Sequence, residues 1–193
     1  MSAERKDKVK ESSLTYEDYA RLDDGHRYEL ADGELLLMSP APTVTHQIIS
    51  FQLQKKISQT CDNDYIILYA PIDVILSSTE VRQPDIVLVS NKRLNIVSKR
   101  GIEGPPDLVV EILSPSSRKR DRIDKFNIYA FYGIPEFWIV EPELGTLEQY
   151  ILHDKRYELT NIFQDNEIVT SPNIPCISFT MADIMDKVPK LPE

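Results

Sequence analysis

The chain has 193 residues, with 22 Lys and Arg against 31 Asp and Glu, a formal charge of −9 and 41% apolar content. That length suits one domain with a core large enough to fold without a disulfide or metal, and the acidic balance excludes broad, non-specific coating of nucleic acid. No apolar run approaches the roughly 18 residues of a membrane-spanning helix.

Residues 1–13 read as a polar tail with no apolar stretch of a signal peptide, and residues 14–193 as one domain. A short helix follows from Thr15, its N-cap, to about Leu22. Arg27–Leu30 and Glu34–Met38 read as strands joined by Asp32-Gly33, a two-residue hairpin signal. Ser39-Pro40-Ala41-Pro42 then breaks the sheet. Ile49, Leu53 and Ile57 recur every four residues and predict a helix over about 44–59, with His46 at the start of its apolar stripe. Tyr65–Tyr69, Ile72–Leu76 and Ile86–Val89 are strand-like runs, and residues 91–106 read as a charged loop. Leu108–Leu113 is apolar on both faces, the pattern of a central strand. A helix over about 118–132 ends at Gly133 and Pro135. Glu136–Val140 is a further strand, and Leu147–Leu152 with Arg156–Ile162 a hairpin. A short strand near 167–169 and a helical turn near 181–185 complete the chain. Helices interleaved with strands give an α/β (α+β) fold around one sheet, with a β-rich C-terminal extension.

Cys61 and Cys176 read as isolated thiols, which excludes a Cys-based zinc site and points to a reducing, cytoplasmic setting. No G-x-S-x-G elbow, P-loop or dinucleotide glycine pattern is present, which argues against those chemistries.

Glu111 stands out because it interrupts the aliphatic strand 108–113. A buried carboxylate needs a cation, a hydrogen-bond network or a metal. Asp85 follows Pro84 at the mouth of another short strand. Acids on the same face of adjacent strands can share one cation, and oxygen ligands suit Mg²⁺ or Mn²⁺.

Gln83-Pro84-Asp85, followed by Pro106-Asp107-Leu108-Val109-Val110-Glu111-Ile112-Leu113-Ser114-Pro115-Ser116, resembles the Uma-two family of the PD-(D/E)XK, restriction-endonuclease-like superfamily. The upstream run Tyr28–Leu35, then Ser39-Pro40 and His46, is similar too. So are Arg120-Asp121, Lys125, Tyr129-Ala130 and the run Gly133–Val140. The resemblance implies a restriction-endonuclease-like core, a central mixed sheet flanked by helices, and metal-dependent hydrolysis of phosphodiester bonds. It matches Asp85 and Glu111 to the motif's acids and metal ligands, with Mg²⁺ or Mn²⁺ as cofactor and nucleic acid, expected to be DNA, as substrate. Leu113 stands where the motif places lysine. Lys125, on the following helix, is the candidate replacement, with Asp121 one turn earlier. Glu34 and His46 are supporting candidates, with Glu29 an alternative to Glu34. Asp73, within an apolar run, has no assigned role.

Residues 82–125 hold 10 Lys and Arg against 6 Asp and Glu, a local +4 in an acidic chain. Arg118, Lys119 and Arg120 cluster at a predicted helix start, where free N–H groups favour phosphate. A homodimer is expected, with the C-terminal hairpin and Phe137-Trp138-Ile139 as contact surface. The rival functions are a catalytically silent binding module on a nuclease fold and an acidic scaffold with Glu111 and Asp85 in ion pairs.

Overall fold

Among the residues described in the computed structural model (13–38, 41–115 and 117–190), the strands form two larger sheets and one small one. The tail expected over 1–13 lies outside the described residues except for Ser13, as do Ser39-Pro40 and Ser116. In chain order the first elements are α1 (Tyr16–Tyr19), β1 (Tyr28–Ala31), β2 (Glu34–Leu37), α2 (Val44–Cys61), β3 (Tyr65–Tyr69), β4 (Val74–Ser77), β5 (Glu80–Arg82) and β6 (Ile86–Ser90). They are followed by β7 (Ile102–Glu103), β8 (Leu108–Ile112), α3 (Phe126–Phe131), β9 (Glu136–Glu141), β10 (Thr146–His153), β11 (Arg156–Phe163), β12 (Ile168–Val169), β13 (Phe179–Thr180) and α4 (Met181–Met185).

The first sheet has the order β2-β1-β5-β4-β7. Its leading hairpin turns on Asp32 and Gly33, both at positive φ (48° and 79°). A type I′ turn demands that combination, and Asp-Gly supplies it. The second sheet has the order β11-β10-β9-β8-β6-β3, with β8 in its interior. β8 pairs antiparallel with β6 and parallel with β9, so the sheet is mixed. The helix between β8 and β9 makes the crossover that a parallel pair requires.

Strand alternation divides β8 between two cores. Leu108, Val110 and Ile112 pack with Ile49, Leu53 and Ile57 of α2. Each of those helix side chains is fully buried, contributing about 1.5–3 kcal/mol. Val109 and Leu113 pack with Tyr129 and Ala130 of α3 on the other face. Glu111 falls by the same alternation on the α3 face.

Several expectations need correction. The strands do not share one sheet: β5 and β7, too short to carry a periodic signal, complete a separate five-stranded one, and β12 and β13 form a small third. The loop over 91–106 holds β7 and a 3-10 segment, Asn91–Ile96. The helix expected over 118–132 opens into a π-helical turn, Arg120–Lys125, before α3. Phe137, Trp138 and Ile139 are buried in the two cores and offer no surface to a second copy. Cys61 and Cys176 are joined in a disulfide across a separation of 115 residues, so they are not isolated thiols. That pairing removes the thiol argument for a reducing compartment. No helix among the described residues is long and apolar enough to cross a membrane.

Candidate active site

Gln83-Pro84-Asp85 links β5 to β6 and so passes from the first sheet to the second. The β6–β8 register pairs Ile86 with Val110, and one further step sets Asp85 opposite Glu111. Neighbouring strands lie about 4.8 Å apart, which brings the two acids side by side. Asp85 Oδ2 accepts from the Ile112 N–H at 2.7 Å and lies 3.1 Å from His46 Nε2. Thr43 caps α2 by accepting from the His46 N–H, so the helix start delivers the imidazole to Asp85. Burial works against a charged imidazole. The hydrogen bond and charge of Asp85 outweigh it and hold the His46 pKa above its ordinary value.

Lys125 is the hub of the site. Its Nζ lies 2.9 Å from Glu111 Oε1, 3.3 Å from Glu29 Oε1 and 3.5 Å from Asp121 Oδ1. Asp121, Lys125 and Tyr129 recur every four residues and line one stripe of the helix. The Tyr129 hydroxyl donates to Glu111 Oε1 at 2.7 Å, so two donors meet one carboxylate oxygen. Glu111 is 2% exposed and Lys125 5%.

One ammonium therefore serves three buried carboxylates, and they share it unequally. Burial pushes Glu29 up, but Lys125, the Gln83 N–H and Arg82 prevail and hold its carboxyl below the usual range. Burial pushes Glu111 well up; Lys125 opposes this, while the Asp121, Asp85 and Glu29 charges reinforce it. Burial raises Asp121 as well, against the pull of Lys125. Burial pulls Lys125 down, yet Glu111, Glu29 and Asp121 more than reverse it and keep the ammonium charged. Among the described residues, Glu29 Oε2, Asp121 Oδ1 and Arg82 Nη1 are buried without a hydrogen-bond partner, although Arg82 Nη1 lies 3.5 Å from Glu29 Oε2 and Lys125 Nζ 3.5 Å from Asp121 Oδ1.

Asp85, Glu111, Asp121, Lys125, His46 and Glu29 all line one cavity of about 480 Å³. Glu34 does not: it lies exposed at the hairpin turn, paired with Ala31. Glu29, further from the turn, points from β1 into the space between the sheets instead. The basic cluster also divides. Arg120 lines the cavity, 3.9 Å from Glu29. Arg118 turns to Glu141 and Glu143, and Lys119 is exposed outside the cavity.

Sequence reasoning assigns no role to Arg82 or Arg27, and none to Gln83 beyond its place in the Gln83-Pro84-Asp85 run. Arg82, buried on β5, bridges Glu29 at 3.5 Å and donates to Glu80 at 2.6 Å. Gln83 donates its N–H to Glu29, and its side-chain oxygen accepts from Arg27 at 2.6 Å. Asp73 finds its role here, accepting from Tyr19 and from the Gln83 amide, both at 2.9 Å.

Among the described residues, no group of three or more His, Cys, Asp or Glu is arranged to hold a metal ion. Mg²⁺ keeps several waters and takes only one or two carboxylates. The adjacent pair Asp85 and Glu111, lining one cavity with the unpartnered Glu29 and Asp121 oxygens, is a donor set that could hold it.

A search of curated proteins finds no match to the chain. Among solved structures, the fold is similar to a "putative nuclease belonging to DUF820" from Anabaena variabilis, with TM-score 0.74 and 17% identity over 91% of this chain and 99% of that one. At that identity the likeness carries the fold alone. A family described as "Putative restriction endonuclease" matches residues 16–182. That match spans most of the chain, which therefore belongs to the Uma2 family of restriction endonuclease-like nucleases.

Proposed function

We propose that the chain is a divalent-metal-dependent endonuclease that hydrolyses phosphodiester bonds of DNA at a PD-(D/E)XK-type site with a displaced lysine. The observation that carries this reading is the Lys125 ammonium, 2.9 Å from Glu111, although Leu113 at the motif position is buried among apolar side chains. Asp85 and Glu111 would hold Mg²⁺ or Mn²⁺. The ion, when bound, lowers the pKa of a water and offsets charge developing on the phosphate. Lys125, kept charged by its three carboxylates, acts as a fixed positive charge and hydrogen-bond donor rather than as a base. Tyr129 fixes the Glu111 carboxylate, and His46 with the Ile112 N–H fixes that of Asp85. Arg120 and Arg27, both lining the cavity, are the phosphate contacts. The reading includes a two-fold dimer, the commonest oligomer, and a cytoplasmic setting.

The test is cleavage of supercoiled plasmid and of labelled single strands with Mg²⁺ or Mn²⁺, comparing wild type with Asp85→Ala and Glu111→Gln. Metal-dependent cutting lost in both variants supports the reading. Absence of cutting by the wild type on every substrate refutes it and favours the silent binding module, for which Leu113 is the argument. Sedimentation of the pure protein tests the dimer.

A further inference from the structure

We infer that the site takes an unpaired DNA strand, whose bases stack on Phe51 and Tyr69 at the mouth of the cavity. The inference rests on the nuclease reading and adds the substrate class.

Depth is the first argument. Glu29, Glu111, Asp121 and Lys125 are all buried, so the reacting phosphate must descend into the cavity. A duplex carries its phosphates on a broad, stiff, convex cylinder, whereas a single strand bends into a recess and splays its bases aside. The rim is the second. Phe51 on α2 and Tyr69 at the end of β3 line this same cavity, and each is 60% exposed. Among the described residues neither ring packs on another ring, and the Tyr69 hydroxyl has no hydrogen bond. Exposed aromatic faces beside a phosphate site are the platform on which single-strand binders stack successive bases.

Charge is the third. Duplex binding draws on many phosphate contacts, and the chain carries −9. Its densest basic run is already neutralised at two positions: Arg118 pairs with Glu141 and Glu143, and Arg122 grips Glu148 through two hydrogen bonds of 2.9 and 2.8 Å. Arg27 and Arg120, inside the cavity, supply a few contacts rather than a track. Affinity must then come from the bases, and stacking supplies it without reading sequence.

The experiment measures fluorescence anisotropy of a labelled strand of about 20 nucleotides, longer than a typical single-strand footprint, and of its duplex. It is run in EDTA and in Ca²⁺ with wild type, Phe51→Ala, Tyr69→Ala and Phe51→Trp. Wild type is expected to bind the strand at least about tenfold more tightly than the duplex. Each alanine variant is expected to lose about 5- to 150-fold for the strand, with little change for the duplex, and Phe51→Trp to retain binding. Both residues are exposed, so the variants fold, which thermal melts verify. Equal affinity for strand and duplex, or alanine variants that bind the strand as wild type does, overturns the inference. So does a dimer that dissociates on Phe51→Ala with strand affinity unchanged, which would assign the ring to a second copy. Plasmid cutting without strand preference sinks this inference alone. No binding and no cutting by wild type sinks the nuclease reading with it.

Discussion

Lys125→Met removes the ammonium and keeps most of the stem. In the metal-free protein it leaves Glu111, Glu29 and Asp121 buried around an apolar terminus. Removing one partner of a buried ion pair costs about 3–5 kcal/mol, because the remaining charge is stranded. In a chain of 193 residues about 1 kcal/mol moves Tm by roughly 2–4 °C, so the expected drop is about 6–20 °C. The pH dependence sharpens the test. Lys125 has a folded pKa raised above 10.5, so its contribution is complete below that value and is lost only as pH climbs through the folded one. Wild type therefore keeps it throughout the neutral range. In the variant, Glu111 and Asp121 are already raised and now lack their counter-charge. Protonation relieves them, so the deficit narrows toward about pH 5 and widens toward about pH 8. Thermal melts in EDTA at several pH values measure this. A drop under about 2 °C near pH 8, or one independent of pH, would show that Lys125 does not neutralise the cluster, and the displaced-lysine reading would lose its basis.

Asp85→Asn removes the main support of the raised His46 pKa, which NMR titration is expected to find lowered, since burial then acts with less opposition. In wild type the stability from this pair is full below about 6.5 and is lost as pH rises through the higher folded value; the variant flattens that dependence. Tyr129→Phe removes a buried donor to a carboxylate, worth about 1.5–3 kcal/mol. Its Tm is expected to fall by roughly 3–12 °C; an unchanged Tm would argue against the Tyr129–Glu111 bond. Cys61→Ser, or a reductant, removes a cross-link between residues 115 apart. A loss of about 2–4 kcal/mol is expected, and alkylation followed by mass spectrometry in non-reducing conditions checks that neither thiol is free. Arg120→Ala is expected to weaken cleavage at low substrate, whereas Arg118→Ala, whose partners are Glu141 and Glu143, leaves it within about twofold; equal losses would restore the Arg118–Lys119–Arg120 cluster as one phosphate clamp.

The parts of this fold that sequence reveals are those with local signals. The aliphatic run of β8, the Asp-Gly hairpin and the stripe of α2 each declare themselves within a few residues. Asp85 and Glu111 were legible as a pair because each is an acid set against an apolar strand. Glu29 was harder to read. Tyr28 and Leu30 flank it, so simple alternation assigns it the outward face, and nothing local shows that Arg82 and the helical segment bearing Lys125 cover that face. Arg82 sits on a strand of only three residues, too short for a period. The Cys61–Cys176 pairing and the neutralisation of Arg118 depend on contacts remote in sequence.

Leu113 and Glu29 belong to one structural solution. Side chain 113 packs with Val109, Tyr129 and Ala130, an apolar cluster in which an ammonium would be costly to bury. Placed instead on the helix after β8, in a π-helical turn of the kind that recurs at functional sites, the lysine reaches Glu111 from above the strand. That position is buried as well, and Glu111, the nearest carboxylate at 2.9 Å, is the strongest influence holding an ammonium there. Glu29, held in its charged form by Lys125 itself, the Gln83 N–H and Arg82, adds a second counter-charge at 3.3 Å. The first sheet thus adds to the charge that lets the helix supply the lysine. Glu111→Gln and Glu29→Gln are each expected to lower the Lys125 pKa, Glu111→Gln the more, a difference that NMR of the labelled ammonium would read directly. A Lys125 pKa unmoved by Glu29→Gln would mean that the strand acid alone, not the first sheet, holds the lysine.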